Sequence, residues 1–185
     1  MFIAIEGMDG VGKTSVAKKL ALRLDAIYMK TPPTCLDEVR SVFTDSSDRL
    51  AQYHFFISSV LIVSEQIDSI LETRSVVCDR YYYTTLTAYK ESIETMYPCL
   101  WENIDHITNH FVEPDYAFIL TADTTTRKKR MSSRNQLTRD DVESLDPKIA
   151  EKQIEAYNQF DLKRIETSNC SIEEVVSKIT EYIGV

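Results

Sequence analysis

The chain has 185 residues, one domain's worth of length, with 21 Lys+Arg against 29 Asp+Glu and a formal net charge of −8. An acidic balance excludes broad non-specific binding to nucleic acid or an anionic membrane, both of which reward a basic surface. Four glycines and five prolines leave little for a flexible linker, no repeat divides the chain, and the longest apolar stretch, Phe55 to Val63, is far short of the ~20 residues of a membrane span; the expectation is one soluble domain over 1–185.

Phe2 to Ile5 has no basic segment before it and no small-residue cleavage site after it, and reads as a strand. Gly7-Met8-Asp9-Gly10-Val11-Gly12-Lys13-Thr14 then fits G-x-x-x-x-G-K-[ST] between that strand and a predicted helix, Lys13–Leu24. Gly7, Gly10 and Gly12 carry no Cβ, so backbone N–H groups can turn inward around a phosphate chain. Lys13 reaches the outer phosphates, Thr14, with Ser15 beside it, offers a hydroxyl to Mg²⁺, and the helix N-terminus adds a favourable field. The chain has neither an Asn-Lys-x-Asp guanine-reading motif nor an Asp-x-x-Gly after the third strand, which sets the GTPases aside.

A second strand is expected at Ala26–Met29, stopped by Pro32 and Pro33, and helices at Leu36–Phe43 and Asp48–Glu72. The segment Leu50–Ile70 is apolar over a wide arc, so it is either sandwiched centrally or shared with another subunit. A third strand, Ser75–Cys78, delivers Asp79-Arg80-Tyr81 to the carboxyl edge of the sheet, where open α/β folds bind ligands. There Asp79 can hold Mg²⁺ or accept a proton, and Arg80 can clamp phosphate.

Helices are expected at Thr84–Ser92 and Leu100–Phe111; the second would put His106 and His110 on one face, without the glutamate of a zinc-protease helix. Pro114 precedes a fourth strand, Tyr116–Leu120. The predicted helix Thr124–Ser133 carries Arg127, Lys128, Lys129 and Arg130, followed by Arg134 and Arg139 in a polar stretch with no hydrophobic period. Arg127, Lys128 and Lys129 read as a solvated face, whereas Arg130, Arg134 and Arg139 suit contacts to phosphate or adenine on a mobile loop. A helix over Asp146–Phe160, a weak strand near Arg164–Glu166, and a helix Ser171–Ile183 opened by the capping box of Ser171 and Glu174 complete the chain. The fold class is α/β, a P-loop NTPase three-layer fold with a five-stranded parallel sheet flanked by helices and an arginine-bearing lid at about 132–142. Cys35, Cys78, Cys99 and Cys170 are widely spaced without a CxxC pair, as expected of reduced thiols in the cytoplasm.

With these clusters in order, the chain resembles the thymidylate kinase family along most of its length. Asp79 through Tyr89 is similar to the family's D-R-Y-x-x-S-x-x-A-Y segment; Glu113-Pro114-Asp115-Tyr116 resembles its Pro-Asp approach to the fourth strand; Arg130, Arg134 and Arg139 fall on its lid arginines, and Glu6 on its F-E-G or I-E-G opening. The resemblance implies ATP as donor, Mg²⁺ as cofactor, a nucleoside monophosphate as acceptor, and a homodimer through the long apolar helix; the alternatives are a deoxynucleoside kinase acting on a free nucleoside and a nucleotide-binding module without acceptor turnover. It implies that Asp9 faces the acceptor sugar, that Lys30 and Arg40 lie by the acceptor phosphate, that Phe56 is a platform for the base, that Glu65-Gln66 matches a Glu-Gln pair, and that Tyr81 and Tyr89 flank the acceptor. Lys13, Asp79, Arg80 and Arg134 would be catalytic, and Val11 and Arg139 would join the donor-binding set. The sequence departs from the pattern where Val60 stands for an acceptor arginine, Thr31 for a glutamate, Lys90 for a glutamine and Thr138 for the lid aspartate.

Overall fold

The computed structural model describes residues 1–132 and 144–185. Five strands, β1 Phe2–Gly7, β2 Ile27–Lys30, β3 Val76–Asp79, β4 Tyr116–Thr121 and β5 Lys163–Glu166, form one parallel sheet in the order β2-β3-β1-β4-β5. Parallel strands need long crossovers, and the helical segments between them supply these. At the centre, β1 is buried along its whole length. Its alternating side chains feed two cores, Phe2 and Ala4 one, Ile3 and Ile5 the other.

The helices α1 Lys13–Arg23 and α9 Ile172–Ile183 cover the Ile3 and Ile5 face with Val16, Leu20, Val176 and Ile179. On the other face lie α3 Arg49–Leu71 and α4 Tyr82–Met96, with Tyr53, Val60, Ile67, Leu86 and Ile93 in the core. Shorter helices fill the connections: α2 Asp37–Thr44 after a 3₁₀ turn at Thr34–Leu36, α5 Pro98–Glu102, α6 Ile104–Thr108, α7 Thr124–Ser132 and α8 Pro147–Tyr157. The capping box of Ser171 and Glu174 is formed at the start of α9.

By length and composition alone α3 could cross a membrane. Here it is a flanking helix: Tyr53, Val60, Val63 and Ile67 are fully buried against the sheet, while Leu61 and Ile62 are 39% and 37% exposed. Its wide apolar arc is thus divided into a buried face and a partly exposed one. The helix expected over Leu100–Phe111 is broken into α5 and α6. At the break the Asn103 side chain donates to the Cys99 carbonyl at 2.7 Å, taking a partner the helical ladder would otherwise use. Because α6 ends at Thr108, His106 and His110 share no helical face.

Candidate active site

The pairing of β1 with β3 builds the site. Ile5 lies opposite Asp79 in the parallel register, so the loop leaving β1 and the Asp79-Arg80 pair leaving β3 emerge side by side although some seventy residues separate them in sequence. Gly7 and Gly10 have φ of 130° and 83°. A Cβ on Gly7 would stand 2.3 Å from the Leu120 carbonyl oxygen, and one on Gly10 would stand 3.0 Å from the Arg127 carbonyl oxygen. The loop can lie this close to β4 and α7 only with glycine at both positions.

Lys13 is buried at 6% exposure and donates through Nζ to the Met8 carbonyl at 2.7 Å, with the Asp9 carboxylate at 3.8 Å. The loop's own carbonyl thus holds the ammonium at the floor of the cleft. Burial, then the charge of Arg80, pulls its pKa down to about 8 despite Asp9 and Asp79. Thr14 and Ser15 are exposed at the cleft, and Gly12 caps α1. Val11 instead turns its side chain into the core, and its carbonyl accepts from Arg130 at 3.1 Å and Thr167 at 2.9 Å.

Arg80 adopts a left-handed backbone with φ of 67°. Such a conformation in a non-glycine residue persists only where its surroundings fix it. Here its N–H donates to the Ile5 carbonyl, its carbonyl accepts from the Thr31 hydroxyl at 2.9 Å, and the next N–H, of Tyr81, donates to Glu6 at 2.7 Å. The guanidinium donates to the Asp9 carboxylate and, at 3.5 Å, to the Thr84 hydroxyl. Burial works against this charge, but Asp9, helped by Tyr157, Asp79 and Glu6, holds its pKa above the usual arginine value. Asp9 is thus paired with Arg80 at the cleft wall. Glu6 lies fully buried beneath, accepting also from the Thr84 hydroxyl, and burial raises its pKa to about 7 against those hydrogen bonds.

Asp79 accepts from the Thr14 hydroxyl at 2.5 Å through one carboxylate oxygen. Its other oxygen, Oδ1, is buried without a hydrogen-bond partner among the described residues. A buried orphan carboxylate oxygen beside a hydroxyl is a donor set that fits Mg²⁺, which takes hard oxygen ligands and keeps water or phosphate in the remaining positions. No cluster of three or more His, Cys, Asp or Glu that could cage a metal exists among the described residues, so nucleotide oxygens would have to complete the shell.

The cleft over these groups has a volume of about 1590 Å³, more than the ~300–1,000 Å³ of a pocket for one small ligand. Its far wall holds Lys30, Arg40, Phe56 and Tyr89. Lys30 pairs with Asp37 at 3.2 Å, and the Arg40 guanidinium stands 5.9 Å from the Phe56 ring. Tyr89 is built into the wall at 6% exposure, its hydroxyl donating to Gln52 at 3.2 Å. One expectation changes. Tyr81 is wholly buried, its ring against Phe2, Tyr82 and Phe111, and has no face for an acceptor. Glu65 and Gln66 sit on the outer face of α3, away from the cleft.

Arg130 donates to the Thr167 carbonyl at 2.7 Å and to its hydroxyl at 3.0 Å, on the β5 side of the loop. Arg134, Arg139 and Thr138 lie outside the described residues. Three residues were missed by sequence reasoning. Arg127 is 1% exposed and not solvated; Met131 at i+4 was the signal, since it marks that side of α7 as inward. Arg49 lines the far wall of the cleft, its guanidinium 4.3 Å over the Tyr89 ring; its spacing of seven from Phe56 places both on one helical face. Tyr157 bonds the Thr84 hydroxyl at 2.9 Å, and no local pattern announces it. Val60 is fully buried, so that position contributes core and no charge.

A family profile described as thymidylate kinase matches residues 5–179. A probable thymidylate kinase of Methanocaldococcus jannaschii is 30% identical, over 99% of this chain and 95% of the relative, and one of Methanococcus vannielii is 36% identical over 73% and 67%. Among solved structures, a thymidylate kinase from Candida albicans superposes with a TM-score of 0.76 at 21% identity, covering 99% of this chain and 90% of that one. A deoxyadenosine kinase from M. mycoides gives 0.71 at 16% identity, covering both chains in full; at such identities these likenesses speak for the fold. The match of the profile from the loop strand to the last helix, together with the archaeal relative aligned end to end, places the chain in the thymidylate kinase family of phosphotransferases.

Proposed function

We propose that the protein transfers the terminal phosphoryl group of ATP to a dTMP-like nucleoside monophosphate, forming the diphosphate, within a single kinase domain. The observation that carries this reading is the convergence of Lys13, Thr14, Asp79 and Arg80 on one end of a cleft whose other end presents Lys30, Arg40, Arg49 and Phe56. An acceptor phosphate is already nucleophilic, so the site has to position and neutralise charge rather than remove a proton.

In this mechanism the loop N–H groups and Lys13 hold the donor's outer phosphates. Lys13 leaves the Met8 carbonyl for a phosphate oxygen, exchanging a neutral partner for a charged one. Arg80, oriented by Asp9, supplies positive charge to the equatorial oxygens of the moving group. Phe56 offers its face to the acceptor base, and Lys30, Arg40 and Arg49 surround the acceptor phosphate. Mg²⁺, held by Thr14 and Asp79, would neutralise charge on the donor phosphates. Arg134 and Arg139 would add charge from the lid, and Arg130 would border the adenine. We place the enzyme in the cytoplasm, consistent with four unpaired cysteines. It acts as a homodimer, supported by the partly exposed Leu61 and Ile62 of α3.

The test is ADP release at saturating Mg-ATP with dTMP, other monophosphates and free nucleosides. Release with a monophosphate supports the reading; release with free nucleosides alone, or with none, overturns it.

A further inference from the structure

Arg127 is the largest fully buried side chain among the described residues, and the mechanism above leaves it without a task. Burying a guanidinium is costly unless its N–H groups are satisfied. No carboxylate among the described residues pairs with it. Its partners are neutral oxygens on two separate segments: Nε donates to the Asp9 carbonyl at 2.7 Å, and Nη2 donates to the Ser144 carbonyl at 2.7 Å and hydroxyl at 3.1 Å. The α7 backbone presses on the same loop, since the Arg127 carbonyl is what a Cβ on Gly10 would strike.

The Asp9 peptide so held carries the carboxylate that pairs with Arg80. A shift of that peptide moves the carboxylate, and the Arg80 guanidinium follows the carboxylate to which it donates. The second anchor, Ser144, precedes by two residues the Asp146 that caps α8. At the other end of α8, Tyr157 bonds the Thr84 hydroxyl, which accepts from Arg80. Arg80 is therefore steadied from two sides by segments that meet at Arg127 and α8.

We propose that Arg127 is a positioning residue for phosphoryl transfer, acting through the Asp9 peptide to place the Arg80 guanidinium. The inference rests on the reading of this cleft as the transfer site. A fully buried side chain cannot touch substrate, so its effect must appear in the rate of the bound complex. Misplacement of a charge-stabilising group by ~1 Å can cost on the order of 100-fold.

The experiment is a kinetic cycle on the full chain: wild type, Arg127→Met, Arg80→Ala and the double variant, each with kcat and the KM for ATP and acceptor. Arg127→Met should lower kcat about 10- to 100-fold with the KM for ATP within about twofold. In the Arg80→Ala background the same substitution should change kcat by less than about threefold, because residues acting as a unit are not additive. Arg127→Lys, which keeps the charge but not the two-segment reach, should fall between, and it replaces Arg127→Met in the cycle if that variant does not fold. Multiplicative losses in the double variant, or a normal kcat without Arg127, overturn the proposal. Failure of the cleft reading itself would show separately, as undiminished turnover in Arg80→Ala alone.

Discussion

At the scale of single residues the site is a set of charges restrained by backbone carbonyls, hydroxyls and neighbouring carboxylates, and that restraint sets what substitutions do. Lys13→Ala should reduce turnover at least about 100-fold, the scale of losing one charge-stabilising donor. It should cost only about 1 kcal/mol of stability, the net worth of a hydrogen bond to a neutral carbonyl; steady-state kinetics and urea melts separate the two. Glu6 makes a pH prediction. Burial raises its carboxyl from the ordinary 4.5 to about 7, so between those values the folded state binds a proton that the unfolded state has released. Stability from this group is fully present below pH 4.5 and is lost as pH rises through 7. The gap caps the effect at about 3 kcal/mol, at about 1.4 kcal/mol per unit. Thermal melts of Glu6→Gln against wild type from pH 5 to 8 should show the variant losing this slope; parallel curves would contradict the assignment. The phosphate loop and the Asp79-Arg80 pair were legible because their chemistry is tied to local spacing. Burial of Arg127 and of Tyr81 was not, because whether a side chain faces cleft or core depends on strands and helices distant in sequence.

At the scale of elements, α3 is where stability and specificity meet. Asp48 caps it by accepting from the N–H groups of Leu50 and Ala51, and the first turns that follow carry Arg49, Gln52 and Phe56 into the cleft wall. Asp48→Ala should destabilise the protein by about 1 kcal/mol. By fraying that turn it should raise the KM for the acceptor several-fold while leaving the KM for ATP unchanged, since the donor half is built by β1 and α1. Equal changes in both constants would contradict this division of the cleft. All five strands were readable from short β-branched and aromatic runs, and so were most helices from their period. The two short helices α5 and α6 were not, because one asparagine side chain outcompetes the backbone ladder at Asn103. The start of α4 at Tyr82 rather than Thr84 reflects tertiary burial of Tyr82 and Tyr83, which propensity does not register.

At the scale of the whole molecule, the sheet order brings the glycine loop after β1 and the Asp79-Arg80 pair after β3 to one edge, and the partly exposed Leu61 and Ile62 set the expectation for assembly. Light scattering at micromolar concentration should give twice the chain mass, and Leu61→Glu should return it to one; a monomeric wild type would remove α3 as an interface. The wide cleft also sets the most direct test of the account, the affinity of a single molecule in which adenosine and thymidine are joined by a chain of five phosphates. If one cleft seats both nucleotides, calorimetry should find this compound bound at least about 100-fold more tightly than ATP or dTMP alone, because the second half binds at the high local concentration set by the first. An affinity equal to that of ATP, with the thymidine half adding nothing, would contradict it.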